Sequence, residues 1–169
     1  MSHTDQDAEP SASPRAEGRM IAFRLARVDA RLNAQAAQLV ANAAGISLVQ
    51  FRIMLSIEKI GAATPTDIGR HSEFDKGQLS RAIKVMLDEG LLRASHNAGD
   101  LRSHLLSLTQ KGRQKFEAAQ IPMLKRQAQL LNALQGDELS VLMTILDKLE
   151  RASAGDIDAP PDPKGRKKK

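Results

Sequence analysis

Cysteine, tryptophan and tyrosine are absent from this 169-residue chain, and four phenylalanines supply all of its 2% aromatic content. Without cysteine there is no disulfide framework, no thiolate metal site, no cysteine nucleophile and no thiol redox sensor. The core must instead be assembled from Leu, Ile, Val, Met and Ala, the residues that fill interfaces between helices. Apolar residues make up 41% of the chain, enough at this length for one domain of ordinary size with tails. No run of about 18 consecutive apolar residues occurs. The N-terminus carries Asp5, Asp7 and Glu9 with no apolar stretch behind them. The expectation is therefore a cytoplasmic protein with neither signal peptide nor membrane span.

The signatures of catalysis are missing too. There is no Gly-rich phosphate loop, no histidine-glutamate metalloprotease motif and no nucleophile elbow. Paired carboxylates such as Asp88 with Glu89, or Asp137 with Glu138, are neighbours at helix ends and do not face each other across a cleft. The four histidines, His3, His71, His96 and His104, match no standard ligand spacing. His96 and His104 can face each other across a hairpin, which reads as a surface pair. The sequence thus predicts no enzyme, no catalytic residue, no cofactor and no metal.

The net charge is +5, but it is unevenly spread. Residues 1–18 carry four acids and one arginine, and residues 153–169 carry three acids and five bases, so most of the positive excess lies between them. A basic folded part suits a polyanionic partner. Both ends lack apolar periodicity and read as disordered tails, 1–18 acidic and 153–169 basic. The latter runs through Ala159-Pro160-Pro161-Asp162-Pro163 into Lys164, Arg166, Lys167, Lys168 and Lys169. Its lysines suit non-specific phosphate contacts and solubilisation equally.

Between the tails the periodicity is helical. Ile21, Leu25, Val28, Leu32, Leu39 and Val40 fall on one broad face of a helix from about Met20 to Ala41. After Gly45, Ser47 and Gln50 form a capping-box pattern before a helix with Leu48, Phe51, Met54 and Leu55 as its buried stripe, running up to Gly61. Thr64-Pro65-Thr66-Asp67 starts a short third helix, ending near His71 to Glu73. The fourth spans about Asp75 to Glu89 and stops at Gly90. Leu91 to Ser95 and His104 to Leu108 then alternate as strands around a polar Asn97-Ala98-Gly99-Asp100 turn. Two helices close the chain, Gln110 to Gln135 and Asp137 to Ala152, with Pro122 expected to kink or break the first. The fold class is mainly α with a small β-hairpin wing: a winged helix-turn-helix flanked by N- and C-terminal helices.

On the fourth helix, Leu79, Ile83, Met86 and Leu87 cluster on one side at about 100° per residue. Gln78, Arg81, Lys84 and Val85 lie opposite, with Lys76 and Ser80 flanking them near the N-terminal end. An amide and two cations in successive turns suit base edges and phosphates in a major groove. The hairpin adds Arg102 near its tip, able to enter the adjacent minor groove, with Asp100 two residues before it to orient the guanidinium.

Ser80-Arg81-Ala82-Ile83-Lys84, Leu87-Asp88-Glu89-Gly90-Leu91-Leu92-Arg93, Asp100-Leu101-Arg102-Ser103 and Leu106-Ser107-Leu108-Thr109-Gln110-Lys111-Gly112 together resemble MarR-type transcriptional regulators. Leu134-Gln135-Gly136-Asp137-Glu138-Leu139 and the helix after it look like that family's last dimerisation helix. The resemblance covers about residues 19–152. It implies a homodimeric regulator, a repressor, that binds double-stranded DNA at a short inverted-repeat operator. The N-terminal dimerisation helix would be 19–45, the DNA-binding lobe 46–109 and the C-terminal dimerisation helices 110–152. Carried over by position, Gln78, Ser80, Arg81 and Lys84 would contact bases or backbone, Arg102 would enter the minor groove and Asp100 would orient it. The family also implies a small-molecule effector bound between the dimerisation helices and the lobe, which the sequence itself does not show. Two departures weaken the wing electrostatically: Gly99 stands where many members have another arginine, and Asn97 where many have an acid. Two other classes stay open at this point, a winged-helix protein-interaction module and a structural helical dimer without DNA specificity.

Overall fold

The computed structural model describes the backbone of residues 14–70, 74–97 and 100–154, and the side chains of residues 20–70, 74–96 and 104–154. The elements are α1 (Pro14–Ala44), α2 (Leu48–Ile60), α3 (Pro65–Arg70), α4 (Lys76–Asp88), β1 (Leu92–Asn97), β2 (Asp100–Leu108), α5 (Gln110–Asn132) and α6 (Glu138–Ser153). This is the expected mainly α fold with a two-stranded antiparallel hairpin. The chain divides into two compact units, one ending at Leu124 and one beginning at Lys125.

Local chemistry sets the ends of the first unit's helices. Ser47 caps α2 reciprocally: its Oγ accepts from the Gln50 amide at 3.1 Å, and its own amide donates to Gln50 Oε1 at 2.8 Å. This is the capping box that the sequence predicts. Thr64 Oγ1 accepts from the Asp67 amide at 3.2 Å and donates to Asp67 Oδ2 at 2.6 Å, which starts α3. Asp75 starts α4, its Oδ2 accepting from the Gln78 amide at 3.1 Å. Gly90, at φ 67°, takes the left-handed conformation that ends that helix at low cost. Two boundaries differ from expectation. Helix α1 begins at Pro14, so its first residues fall within the stretch read as a disordered tail; a proline at the first helical position loses no intrahelical hydrogen bond. The strands reach Asn97 and Asp100, both of which the sequence reading placed in the turn; Ala98 and Gly99 stand between them. Those two residues lie outside the described ones, as do His71 to Glu73, residues 1–13 and residues 155–169.

One apolar core unites the first unit. Val40 of α1, Phe51, Ile53, Met54 and Ile57 of α2, Ile68 of α3, Leu79, Ile83 and Met86 of α4, Leu91 and Leu92, Leu106 and Leu108 of β2, and Phe116 and Ala119 of α5 are all buried. Phe51 and Phe116 stack with ring centroids 5.6 Å apart. The hairpin joins this body through Ala63, which exchanges two backbone hydrogen bonds with Leu106, at 3.1 and 2.9 Å. Its base is fixed to α5 by Thr109, whose Oγ1 donates to the Gly90 carbonyl at 2.6 Å and accepts from the Gly112 amide at 3.0 Å. Gly112 permits this approach, because a Cβ there would lie 2.1 Å from the Leu91 carbonyl oxygen.

Helix α5 runs through Pro122 without interruption, so of the expected kink or break the break is not observed. The proline ring leaves the Ala118 carbonyl without its usual helical donor. In the second unit, α6 has no buried residue, and Leu139, Val141, Leu142, Met143 and Ile145 are exposed along it. The N-terminal half of α1 likewise exposes Met20, Ile21, Phe23, Leu25 and Val28. Among the described residues no single helix is long and apolar enough to cross a membrane.

Candidate nucleic-acid interface

Helix α4 presents two chemically distinct sides. Leu79, Ile83 and Met86 are buried and Leu87 is half-buried, while Lys76, Gln78, Ser80, Arg81, Lys84 and Val85 are exposed. At about 100° per residue Arg81 projects almost opposite the core, Lys84 and Gln78 lie to either side of it, and Lys76 and Ser80 stand at the edge nearest α3. Asp88 falls on the same exposed side one turn beyond Lys84, a residue that the sequence reading left out of this face. A carboxylate there opposes phosphate, so the cationic surface is confined to the N-terminal two-thirds of the helix. That is the end from which a second helix of a helix-turn-helix contacts bases.

The far end of α4 is tied down. Lys111 Nζ donates to the Glu89 carbonyl at 2.7 Å, and Gln50 Nε2 donates to Glu89 Oε2 at 2.9 Å. A cation on the last carbonyls is favourable against the helix dipole. The same Gln50 that caps α2 therefore also holds the end of α4. On the other side of the hairpin root, Arg113 makes a two-pronged contact with Glu58 at 2.8 and 3.0 Å. That hydrogen bond first, and the Glu58 charge second, hold the guanidinium above its ordinary pKa.

In the hairpin, Leu92, Ala94 and His96 pair with Leu108, Leu106 and His104, and the two imidazole rings lie opposite each other across the strands as expected, with centroids 5.5 Å apart and planes tilted by 50°. The register then shifts: Asn97 pairs with Asp100, so residues 101–103 of β2 oppose nothing on β1. Arg102 is the middle residue of this bulge, and bulges commonly re-aim a side chain near a functional site. The side chains of Asp100 and Arg102 lie outside the described residues. Among the described residues, no three His, Asp or Glu side chains converge as a metal site would require.

A cleft of about 640 Å³ opens beside the cationic face, between α3 and α4. Pro65, Thr66, Gly69, Arg70 and Phe74 line one side and Lys76, Leu79, Ser80 and Ile83 the other. Nothing in the periodicity of either helix announces it, because it depends on how far apart the two helices stand.

A family model described as the MarR family matches residues 44–103. The multiple antibiotic resistance protein MarR of Salmonella typhimurium is 30% identical over 105 residues, which cover 62% of this chain and 73% of that protein. The chain belongs to the MarR family. It is a DNA-binding transcriptional regulator and not an enzyme. Among solved structures, a MarR/EmrR family transcriptional regulator from Acinetobacter sp. ADP1 matches with a TM-score of 0.72 at 20% identity, over 81% of this chain and 96% of that one. A mutant MarR from E. coli, complexed with operator DNA, matches with a TM-score of 0.61 at 25% identity, over 75% of this chain and 93% of that one. The MarR fold and the sequence relationship thus coincide on the lobe that carries α4 and the wing.

Proposed function

We propose that this MarR-family protein is a cytoplasmic homodimeric repressor that reads an inverted-repeat operator and is released from it by a small ligand. The observation that carries the reading is the exposed side of α4, where Lys76, Gln78, Ser80, Arg81 and Lys84 stand together at the end of the helix that enters a major groove. Arg102, in the bulge of β2, takes the adjacent minor groove, and Asp100 orients it. In this reading residues 46–109 form the DNA-binding lobe, and residues 19–45 and 110–152 form the dimerisation helices. The apolar side chains left exposed on α1 and α6 support that assignment, since patches of this extent mark interaction surfaces.

For release, the cleft between α3 and α4 is of drug-sized volume, with Pro65, Phe74, Leu79 and Ile83 as its apolar lining and Arg70 and Lys76 as cations at it. A ligand seated there touches Lys76 and Ser80 at the edge of the reading surface. Linkage requires that such a ligand bind more weakly to the DNA-bound protein.

The test is duplex binding by Arg81→Ala and Arg102→Ala, using DNA enriched by the wild-type protein from a random-sequence library. Each change is expected to cost about 1–3 kcal/mol of affinity with the dimer intact. Affinity of the wild type falls steeply with salt as counterions are released. Unchanged binding by both variants refutes the site assignment.

A further inference from the structure

Gly77 lies in the first turn of α4, where glycine is an unfavourable helix residue. Its φ is not among the positive ones, so the backbone does not demand glycine. It is half-exposed, so close packing of the core does not demand it either. What its missing side chain provides is room beside Arg81: a Cβ there would lie 3.3 Å from Arg81 Nη1 and 3.9 Å from Cζ. The same Cβ would lie 3.1 Å from Asp75 Oδ2, the oxygen that caps the helix through the Gln78 amide.

We infer that Gly77 is a positioning residue for Arg81: its bare Cα lets the guanidinium lie back over the first turn of α4, at the end of the helix that meets the bases. This rests on the reading of α4 as the DNA-contacting helix. Long helical side chains lean towards the N-terminus, so Arg81 needs no unusual rotamer to reach residue 77. Asp75, held in place as the cap, puts a negative charge on the far side of the same gap. A methyl group at residue 77 enters the gap between the carboxylate and the guanidinium at distances tighter than most Cβ contacts, so these groups must give way by a few tenths of an ångström. Gly77 thereby sets where along the groove the Arg81 charge is delivered.

The experiment is a double-mutant cycle on the duplex enriched by the wild-type protein from a random-sequence library, with affinity read by fluorescence anisotropy and fold stability by thermal melting. Arg81→Ala is expected to weaken binding roughly five- to a hundredfold. Gly77→Ala is expected to weaken it by about fivefold or more in the wild-type background and by less than about twofold in the Arg81→Ala background. Its melting temperature should not fall, since alanine is the better helix former. Repeating the enrichment with Gly77→Ala should blur preference at the same base pair that Arg81→Ala blurs. An equal loss in both backgrounds overturns the inference, because Gly77 then serves close approach of the backbone to DNA. So does full affinity in Gly77→Ala, or a lowered melting temperature accompanying the lost binding, which would point to damage to the cap. If Arg81→Ala itself binds like the wild type, the reading of α4 fails, and the inference falls with it by a separate and recognisable result.

Discussion

Replacing Gly112 by alanine puts a methyl carbon 2.1 Å from the Leu91 carbonyl oxygen and 3.0 Å from its carbonyl carbon. Ordinary contact begins at 3.4 Å, so α5 and the hairpin root must part by about 1.3 Å, and neither side is free to do so. The Leu91 carbonyl accepts from the Thr109 amide at 3.1 Å, and the Leu91 amide donates to the Met86 carbonyl at 2.8 Å. Gly112 itself is held by its 3.0 Å hydrogen bond to Thr109 Oγ1. Forcing extra volume into such a site costs about 1–3 kcal/mol, and each loosened hydrogen bond adds about 1 kcal/mol. Alanine returns roughly 0.5–1 kcal/mol of helix preference. With two hydrogen bonds strained, the net is a destabilisation of about 3 kcal/mol, which for a chain of this size lowers the melting temperature by roughly 6–12 °C. Circular dichroism melts at one fixed protein concentration measure it, since the midpoint of an oligomer shifts with concentration. A midpoint within about 2 °C of the wild type refutes the packing argument, because it means that the contact between α5 and Leu91 yields without cost.

The remaining expectations follow from the core, the cap and the exposed faces. Phe116→Ala removes half of the buried Phe51–Phe116 stack and should cost about 3–5 kcal/mol in urea unfolding, with Phe116→Leu losing distinctly less; equal losses would deny the stack any part. Ser47→Ala takes away the acceptor for the Gln50 amide and should cost about 1 kcal/mol in the same assay, a neutral result showing that the cap is dispensable. If α6 forms the proposed dimer interface, Leu142→Glu, on its exposed apolar side, should lower the mass read by light scattering from dimer to monomer. An unchanged mass would remove α6 from the dimer interface.

Much of the fold between α2 and the hairpin was legible because its information is local. The burial of Leu79, Ile83 and Met86 against the exposure of Gln78, Arg81 and Lys84 follows from helical period alone, and Ser47 with Gln50 and Thr64 with Asp67 state their caps within four residues. Where the structure departs from expectation, the deciding contact is distant or the signal is weak. Residues 14–18 lack the apolar repeat that marks a helix, although Pro14 at its first position is a start signal that was there to be read. Pro122 argued for a break, yet loss of a single hydrogen bond does not interrupt α5. The cleft between α3 and α4 is set by the separation of two helices, and the bulge at Arg102 by a register that Asn97 and Asp100 choose together. No period in the sequence encodes either of these.

Leu91 is a single residue at which three mechanical parts meet. Its amide is fastened to the last turn of α4, its carbonyl to Thr109 at the entrance of α5, and its side chain to the core just before β1 begins. The joint has little slack: Gly112 of α5 approaches it so closely that a Cβ there would lie 2.1 Å from the Leu91 carbonyl oxygen. Helix α4 and the hairpin therefore hang from the start of α5 like two prongs from one handle. A twist of that handle swings both together, so under the proposed reading of α4 and Arg102 the major-groove and minor-groove contacts would be gained or lost as a pair.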